Sequence, residues 1–188
     1  MPRRFTGFPL IDILATSLLD KRMEVRFAEK RDLEDINDIY NYFVSNTHST
    51  FDTKPFSLDV RKAEFEAYNN NSHYNFLVAV ENNKVIGWAC NSKYREHEAF
   101  DKTSDLTVYI HYQHHGKGVG AALYVKLFEL LARQKYFHSL LAAVALPNEA
   151  SIQLHKKFGM EEVGIFKEYA SKNGRLISSM WLQKILVI

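Results

Sequence analysis

The chain has 188 residues, 46% of them hydrophobic and 24% charged, with a formal net charge of +2. That length suits one domain able to bury a sizeable core, and the near-balanced charge excludes the basic field that nucleic-acid binding needs. No apolar run is long enough to span a bilayer, so no membrane is expected. The single cysteine, Cys90, excludes an internal disulfide and fits a reducing, cytoplasmic setting.

Residues 1–22 read as an N-terminal arm or accessory helix. Arg3 and Arg4 precede an apolar patch from Phe8 to Leu19, and Asp12 interrupts it, unlike the unbroken centre of a signal peptide. The compact domain is expected over 23–188. Glu24–Ala28 reads as a strand. Asp32, Glu34 and Asp35 then open a helix whose apolar face is Leu33, Ile36, Ile39, Tyr40 and Phe43. Asn46–Pro55 is a polar loop, and Ser57 suits the cap of a second helix ending near Tyr68.

Phe76–Glu81 and Lys84–Asn91 read as two strands around Asn82-Asn83, a pair that tolerates the left-handed dihedrals of a tight hairpin. Cys90, inside the second, reads as a small buried hydrophobe rather than a nucleophile. A charged loop, Tyr94–Lys102, leads to a strand with Thr107, Val108, Tyr109 and Ile110, residue types that suit a pleated, buried surface. The following bend carries Gly116, Gly118 and Gly120 at alternate positions. A long helix then places Val119, Leu123, Leu127, Leu130 and Leu131 on one face.

Leu140–Leu146 is a strand, and Asn148 or Ser151 caps a short helix that Phe158-Gly159 closes. Val163–Phe166 and Leu176–Leu186 are the last strands. The sum is an α/β fold: one mixed central β-sheet flanked by helices on both faces. Ligands of such sheets sit at the carboxyl ends of strands, where neighbours part.

The glycine bend has a chemical use. The first amides of a helix lack intrahelical partners, and the macrodipole favours negative charge there. Glycines let a phosphate approach the backbone. Lys117, with His114 and His115 when protonated, would add positive potential. The spacing is neither the dinucleotide fingerprint nor the nucleoside-triphosphate loop, which needs Ser or Thr after Gly-Lys. His111, His114 and His115 sit at loop spacing, but no cysteine or further clustered carboxylate completes a shell, so no metal is expected.

Gln113-x-x-Gly116-x-Gly118 resembles the pyrophosphate-binding motif of the GCN5-related N-acetyltransferases. Asn148 followed by a short helix ending in Phe158-Gly159 resembles the second signature of that superfamily. More narrowly, Ile39-Tyr40-Asn41, Thr50-Phe51-Asp52-Thr53, Ile86-Gly87-Trp88-Ala89, Tyr94-Arg95, Val108-Tyr109-Ile110-His111 and Gly174-Arg175 resemble the phosphinothricin and methionine sulfone N-acetyltransferases. The resemblance runs from about Val25 to Leu186.

It implies acetyl-coenzyme A as co-substrate, with its pyrophosphate on Gln113, His114, His115, Gly116, Lys117, Gly118, Val119 and Gly120. It implies that the pantetheine arm lies along Val108, Tyr109 and Ile110 and against Asn148 and Ser151. A small amino-acid-like amine would be lined by Phe51, Tyr94 and Arg95, and a homodimer is implied. Asp105 stands where the family has a glutamate base. One methylene shorter, it is expected to act through a water, provided burial raises its pKa. His155, where many relatives have tyrosine, is expected to protonate the departing thiolate, since histidine titrates near neutrality. Leu176 and Ser178 replace the usual aromatic and acidic residues, and Asp101 and Lys102 replace a basic-aromatic pair. These departures leave the acceptor open. A non-catalytic acyl-coenzyme-A sensor and a peptide or protein N-terminal acetyltransferase stand as alternatives.

Overall fold

The computed structural model describes residues 23–69 and 71–186; the expected N-terminal arm lies outside them. The elements are β1 (Met23–Phe27), α1 (Leu33–Asn46), α2 (Leu58–Asn69), β2 (Phe76–Glu81), β3 (Lys84–Lys93) and β4 (Thr103–Ile110). They continue with α3 (Val119–Gln134), β5 (Ser139–Ala145), α4 (Glu149–Lys157), β6 (Glu161–Lys172) and β7 (Arg175–Ile185). The strands form one seven-stranded sheet in the order β1-β2-β3-β4-β5-β7-β6. The β4–β5 pair is parallel and its neighbours are antiparallel.

Period-two alternation sends each strand's residues to opposite faces. On one face Leu77, Ala79, Ala89, Leu106, Leu140 and Leu182 pack with Leu123, Leu127 and Leu131 of α3 and Ile152 of α4. On the other, Phe76, Val78, Trp88 and Cys90 pack with Ile36, Ile39, Tyr40 and Phe43 of α1 and Phe65 of α2. Helices therefore cover both faces. Each buried leucine stabilises the domain by about 1.5–3 kcal/mol. Cys90 is buried, with Sγ 3.1 Å from the Tyr68 hydroxyl.

The second cluster draws on β2, β3 and Tyr109 of β4. On that face, the β5–β7 part of the sheet is left to Leu141, exposed Ala143 and Trp181. Of the last two strands, β7 matches the expected length and β6 is longer than expected. β6 begins at Glu161 and runs to Lys172, and its residues 161–169 are exposed. As an edge strand it lacks the apolar alternation that marks a half-buried one, and two register irregularities against β7 interrupt it.

Candidate active site

β4 and β5 pair through Thr103↔Ser139, Ser104↔Leu140 and Asp105↔Leu141, and their pairing stops there. β4 continues to Ile110 against β3, and β5 continues to Ala145 against β7. The sheet therefore opens after Asp105, and the β5-facing edge of β4 from Leu106 onward lies outside the ladder. The glycine bend leaves one lip of this split, and Asn148 leaves the other.

At the first lip the bend is shaped by its own side chains. The His111 side chain accepts from the Gln113 amide at 3.3 Å, and the His115 ring Nε2 lies 2.9 Å from the Ile110 carbonyl. His114 Nδ1 stands 3.9 Å from Glu81 Oε2. The rings of His114 and His115 are thus engaged in or beside the loop. Gly116 and Gly118 have φ of 73° and 80°, the left-handed region that favours glycine. Space above Gly116 is open: a Cβ there would meet nothing within 4 Å. Gly118 caps α3, and the first helical hydrogen bond is Ala122 N–H to the Gly118 carbonyl at 3.0 Å. The amides of Val119, Gly120 and Ala121 precede it, so they point out of the helix start. Gly120 has a packing role, since a Cβ would come within 3.0 Å of Leu154 on α4. Lys117 is exposed.

At the second lip Asn148 Oδ1 accepts from the Ser151 amide at 3.2 Å, capping α4. Both side chains are half-buried at the split.

Asp105 sits where the strands part. Its Oδ1 is buried without a hydrogen-bond partner among the described residues. Burial alone pushes the carboxyl up to about 7. This is the value a general base at neutral pH needs.

His155 corrects an expectation. It is 3% exposed, between α3 and α4, with Nδ1 3.2 Å from the Tyr124 hydroxyl. Burial lowers its pKa to about 4, so the ring is neutral at pH 7 and is not a proton donor that titrates near neutrality.

The three acceptor-site candidates join one string of aromatic contacts. The Arg95 guanidinium lies 5.0 Å from the Tyr94 ring centre, and Tyr94 meets Trp181 at 6.2 Å. Trp181 meets Phe166 at 5.8 Å, Phe166 meets Tyr169 at 5.4 Å, and Tyr169 meets Phe51 at 5.7 Å. Phe166, Tyr169 and Trp181 were not singled out from sequence. The signal available was aromatic residues on strands next to the split.

The loop carrying Phe51 is anchored on all sides. Asn41 exchanges two hydrogen bonds with the Phe56 backbone, at 2.9 and 2.8 Å. The Tyr40 hydroxyl meets Thr50 Oγ1 at 2.9 Å and donates to Asp52. His48 Nε2 lies 3.0 Å from the Pro147 carbonyl. Buried Lys172 donates to the Thr50 carbonyl at 3.0 Å. Beside this loop lies a cavity of about 530 Å³, lined in part by Tyr40, Phe56, Arg61, Trp88, Ser92 and Thr107. Arg61 is 4% exposed; it pairs with Glu64 at 2.7 Å and stacks 4.7 Å from the Tyr40 ring centre. Ser92 is the β3 partner of Asp105, so the cavity adjoins the base of the split.

A split parallel pair, a glycine-cradled helix start and a buried carboxylate describe one architecture, and comparison agrees. The acetyltransferase (GNAT) domain family matches residues 25–181.

The chain belongs to the GNAT acetyltransferase family.

It is therefore an acyltransferase by fold and family. Phosphinothricin N-acetyltransferase of Streptomyces coelicolor is 35% identical over 166 residues, covering 87% of this chain and 96% of that protein. L-methionine sulfoximine/L-methionine sulfone acetyltransferase of Salmonella typhimurium is 33% identical over 161 residues, covering 86% and 93%. The structure of yncA from Salmonella typhimurium, solved with its cofactor acetyl-CoA, superposes with a TM-score of 0.84 at 32% identity, covering 88% and 95%. Among this GNAT domain's described residues, no helix is long and apolar enough to cross a membrane.

Proposed function

We propose that the chain transfers an acetyl group directly from acetyl-coenzyme A to the amino group of a small amino acid. One observation carries this reading: β4 leaves β5 directly after a buried carboxylate, with a phosphate cradle on one lip and Asn148 on the other. The open space above Gly116 and the unpaired amides of the α3 start fit a pyrophosphate. Bound there, acetyl-coenzyme A supplies an acetyl group activated as a thioester.

The chain's own residues do the rest. The free edge of β4 at Val108–Ile110 receives the pantetheine arm as an added strand and offers an amide to the thioester oxygen. Asn148 and Ser151 hold the arm from the other side. Asp105, with a pKa of about 7, accepts a proton from the substrate ammonium through one water and frees its lone pair. A thiol reference pKa near ~8.5 lets the coenzyme leave as a thiolate. His155, neutral and held by Tyr124, supports α4 and offers a ring hydrogen bond at most. Phe51, Tyr94 and Arg95 line the acceptor, with Arg95 placed to pair with a carboxylate. The substrates for which the relatives are named, phosphinothricin and methionine sulfoximine or sulfone, point to an amino acid with an oxygen-bearing side chain.

Thiol release from acetyl-coenzyme A over a panel of amino acids and N-terminal peptides tests this. Turnover with methionine sulfone or phosphinothricin supports the reading. Coenzyme binding without thiol release favours a sensor module, and turnover restricted to peptides favours an N-terminal acetyltransferase. A homodimer belongs to the same proposal: the exposed Val163, Ile165 and Phe166 of edge strand β6 would meet a second copy. Light scattering that returned one chain's mass would remove it. The one buried cysteine suits a cytoplasmic location.

A further inference from the structure

The acceptor face holds a second buried polar group that the chemistry above does not use. Trp181 Nε1 is buried and has no hydrogen-bond partner among the described residues. Its neighbours Tyr94 and Phe166 present rings at 6.2 and 5.8 Å. An indole nitrogen is a donor only, and a buried donor without a partner is the exception in folded proteins.

The register places this donor relative to Asp105. Asp105 is opposite Leu141, Ala143 is opposite Trp181, and alternation puts all four side chains on the face of α1 and α2. The floor between the two orphan groups is half-buried Leu141 and exposed Ala143. Ala143 has no side chain beyond a methyl group, so this floor is low between two walls. Asp105 thus carries a buried, unpaired acceptor on one side of this floor and Trp181 a buried, unpaired donor on the other.

The geometry points to Trp181 as the residue that reads an oxygen on the acceptor's side chain, its indole N–H donating to a sulfonyl, sulfoximine or phosphinyl oxygen while the amino group faces Asp105. This rests on the proposed N-acetyltransferase reading and adds a determinant of specificity to it. Longer reach favours a side-chain oxygen over the α-carboxylate as the partner. Asp105 and Trp181 stand two strands apart and two residues out of step along β5, ~12 Å between their backbones. An α-amino group and its own carboxylate share one carbon, whereas an oxygen on a γ-substituent lies several bonds further from the amino group and reaches further toward a donor two strands from Asp105. A site built to hydrogen-bond a substrate oxygen rejects an analogue without it more strongly than an apolar pocket does.

Methionine and methionine sulfone differ only in that oxygen content, so they test the assignment directly. The wild-type enzyme should prefer the sulfone by about tenfold or more in kcat/KM. Trp181→Phe keeps the ring packing but lacks the donor. It should lose about tenfold on the sulfone, mostly in KM, and stay within about twofold on methionine. The KM for acetyl-coenzyme A should not move. A preference that survives in Trp181→Phe, or equal losses on both amines, overturns the assignment, and so does a wild-type enzyme with no preference, whatever the variant does.

A second readout is independent of turnover. The chain has two tryptophans, Trp88 and Trp181. Methionine sulfone added to the protein loaded with coenzyme A should change the emission of the wild type and leave Trp181→Phe unchanged. A wild type that releases no thiol yet shows this sulfone-dependent change would lose the transferase reading and keep the Trp181 contact. No change in the wild type would overturn the contact.

Discussion

Replacing Asp105 by asparagine should raise stability and lower activity, and the two effects should share one pH dependence. The ordinary pKa of 3.8 rises in the folded chain to about 7 through burial. Below 3.8 the residue is protonated folded and unfolded alike. Between 3.8 and about 7 the unfolded chain has released a proton that the folded chain still holds. The folded state then binds more protons, so stability falls as pH rises. Each pH unit costs about 1.36 kcal/mol, about 4 kcal/mol over the whole interval.

Asparagine has no charge to bury. Its own amide remains partly unsatisfied, so the gain at pH 8 should be about 1–3 kcal/mol. For a chain of this length that is about 2–4 °C in Tm per kcal/mol. Near pH 4 the advantage should vanish. Catalysis moves the other way: kcat/KM should fall about 10²–10⁴-fold, and the acidic limb centred near pH 7 in the wild type should disappear. The assay is paired thermal denaturation and thiol release from pH 4 to 8. A Tm difference that does not grow with pH, or an acidic limb that persists in Asp105→Asn, would refute the argument that a desolvated carboxylate is the base.

His155 should produce a slope of opposite sign. Its folded pKa is depressed to about 4, so below 6.5 the unfolded chain binds the extra proton, and stability is lost as pH falls from 6.5 to 4. The loss is about 3 kcal/mol over that interval; His155→Gln should flatten it, as urea titrations at about pH 4.5 and about pH 7 would reveal. Gly118→Ala forces a side chain into φ of 80°, costing about 1–2 kcal/mol. Calorimetric titration should show coenzyme A binding weakened by about tenfold, and an unaltered Kd would place the pyrophosphate elsewhere. Lys172→Met removes the donor to the Thr50 carbonyl. Amide exchange over residues 47–56 should quicken and the acceptor KM should rise several-fold while the acetyl-coenzyme A KM holds; unchanged exchange would show the anchor to be dispensable.

The helices and inner strands were legible because each is governed by local pattern. Leu123, Leu127 and Leu131 repeat at helical spacing, and all three are buried in α3. Asn82 and Asn83 were read as a left-handed hairpin pair, and both have positive φ. Gly116 and Gly118 were read as free to take unusual dihedrals, and both lie in the left-handed region. The edge strand β6 was underestimated because an exposed strand needs no alternation. His155 was misread because its type suggests a neutral-range acid, while its pKa follows from the side chains packed around it.

From its order of residues alone, this chain determined one mixed sheet between two helical layers and a glycine bend before a long helix, since backbone dihedrals and apolar periodicity act over a few neighbouring positions. Tertiary structure alone decided where β4 parts from β5, because both strands stay apolar past Asp105 and only their register shows the break. It also decided that Asp105 is desolvated and that Trp181, 76 positions later in the 188-residue chain, shares its face of the sheet. Desolvation and hydrogen-bond satisfaction belong to the space around a group, and distant segments make that space.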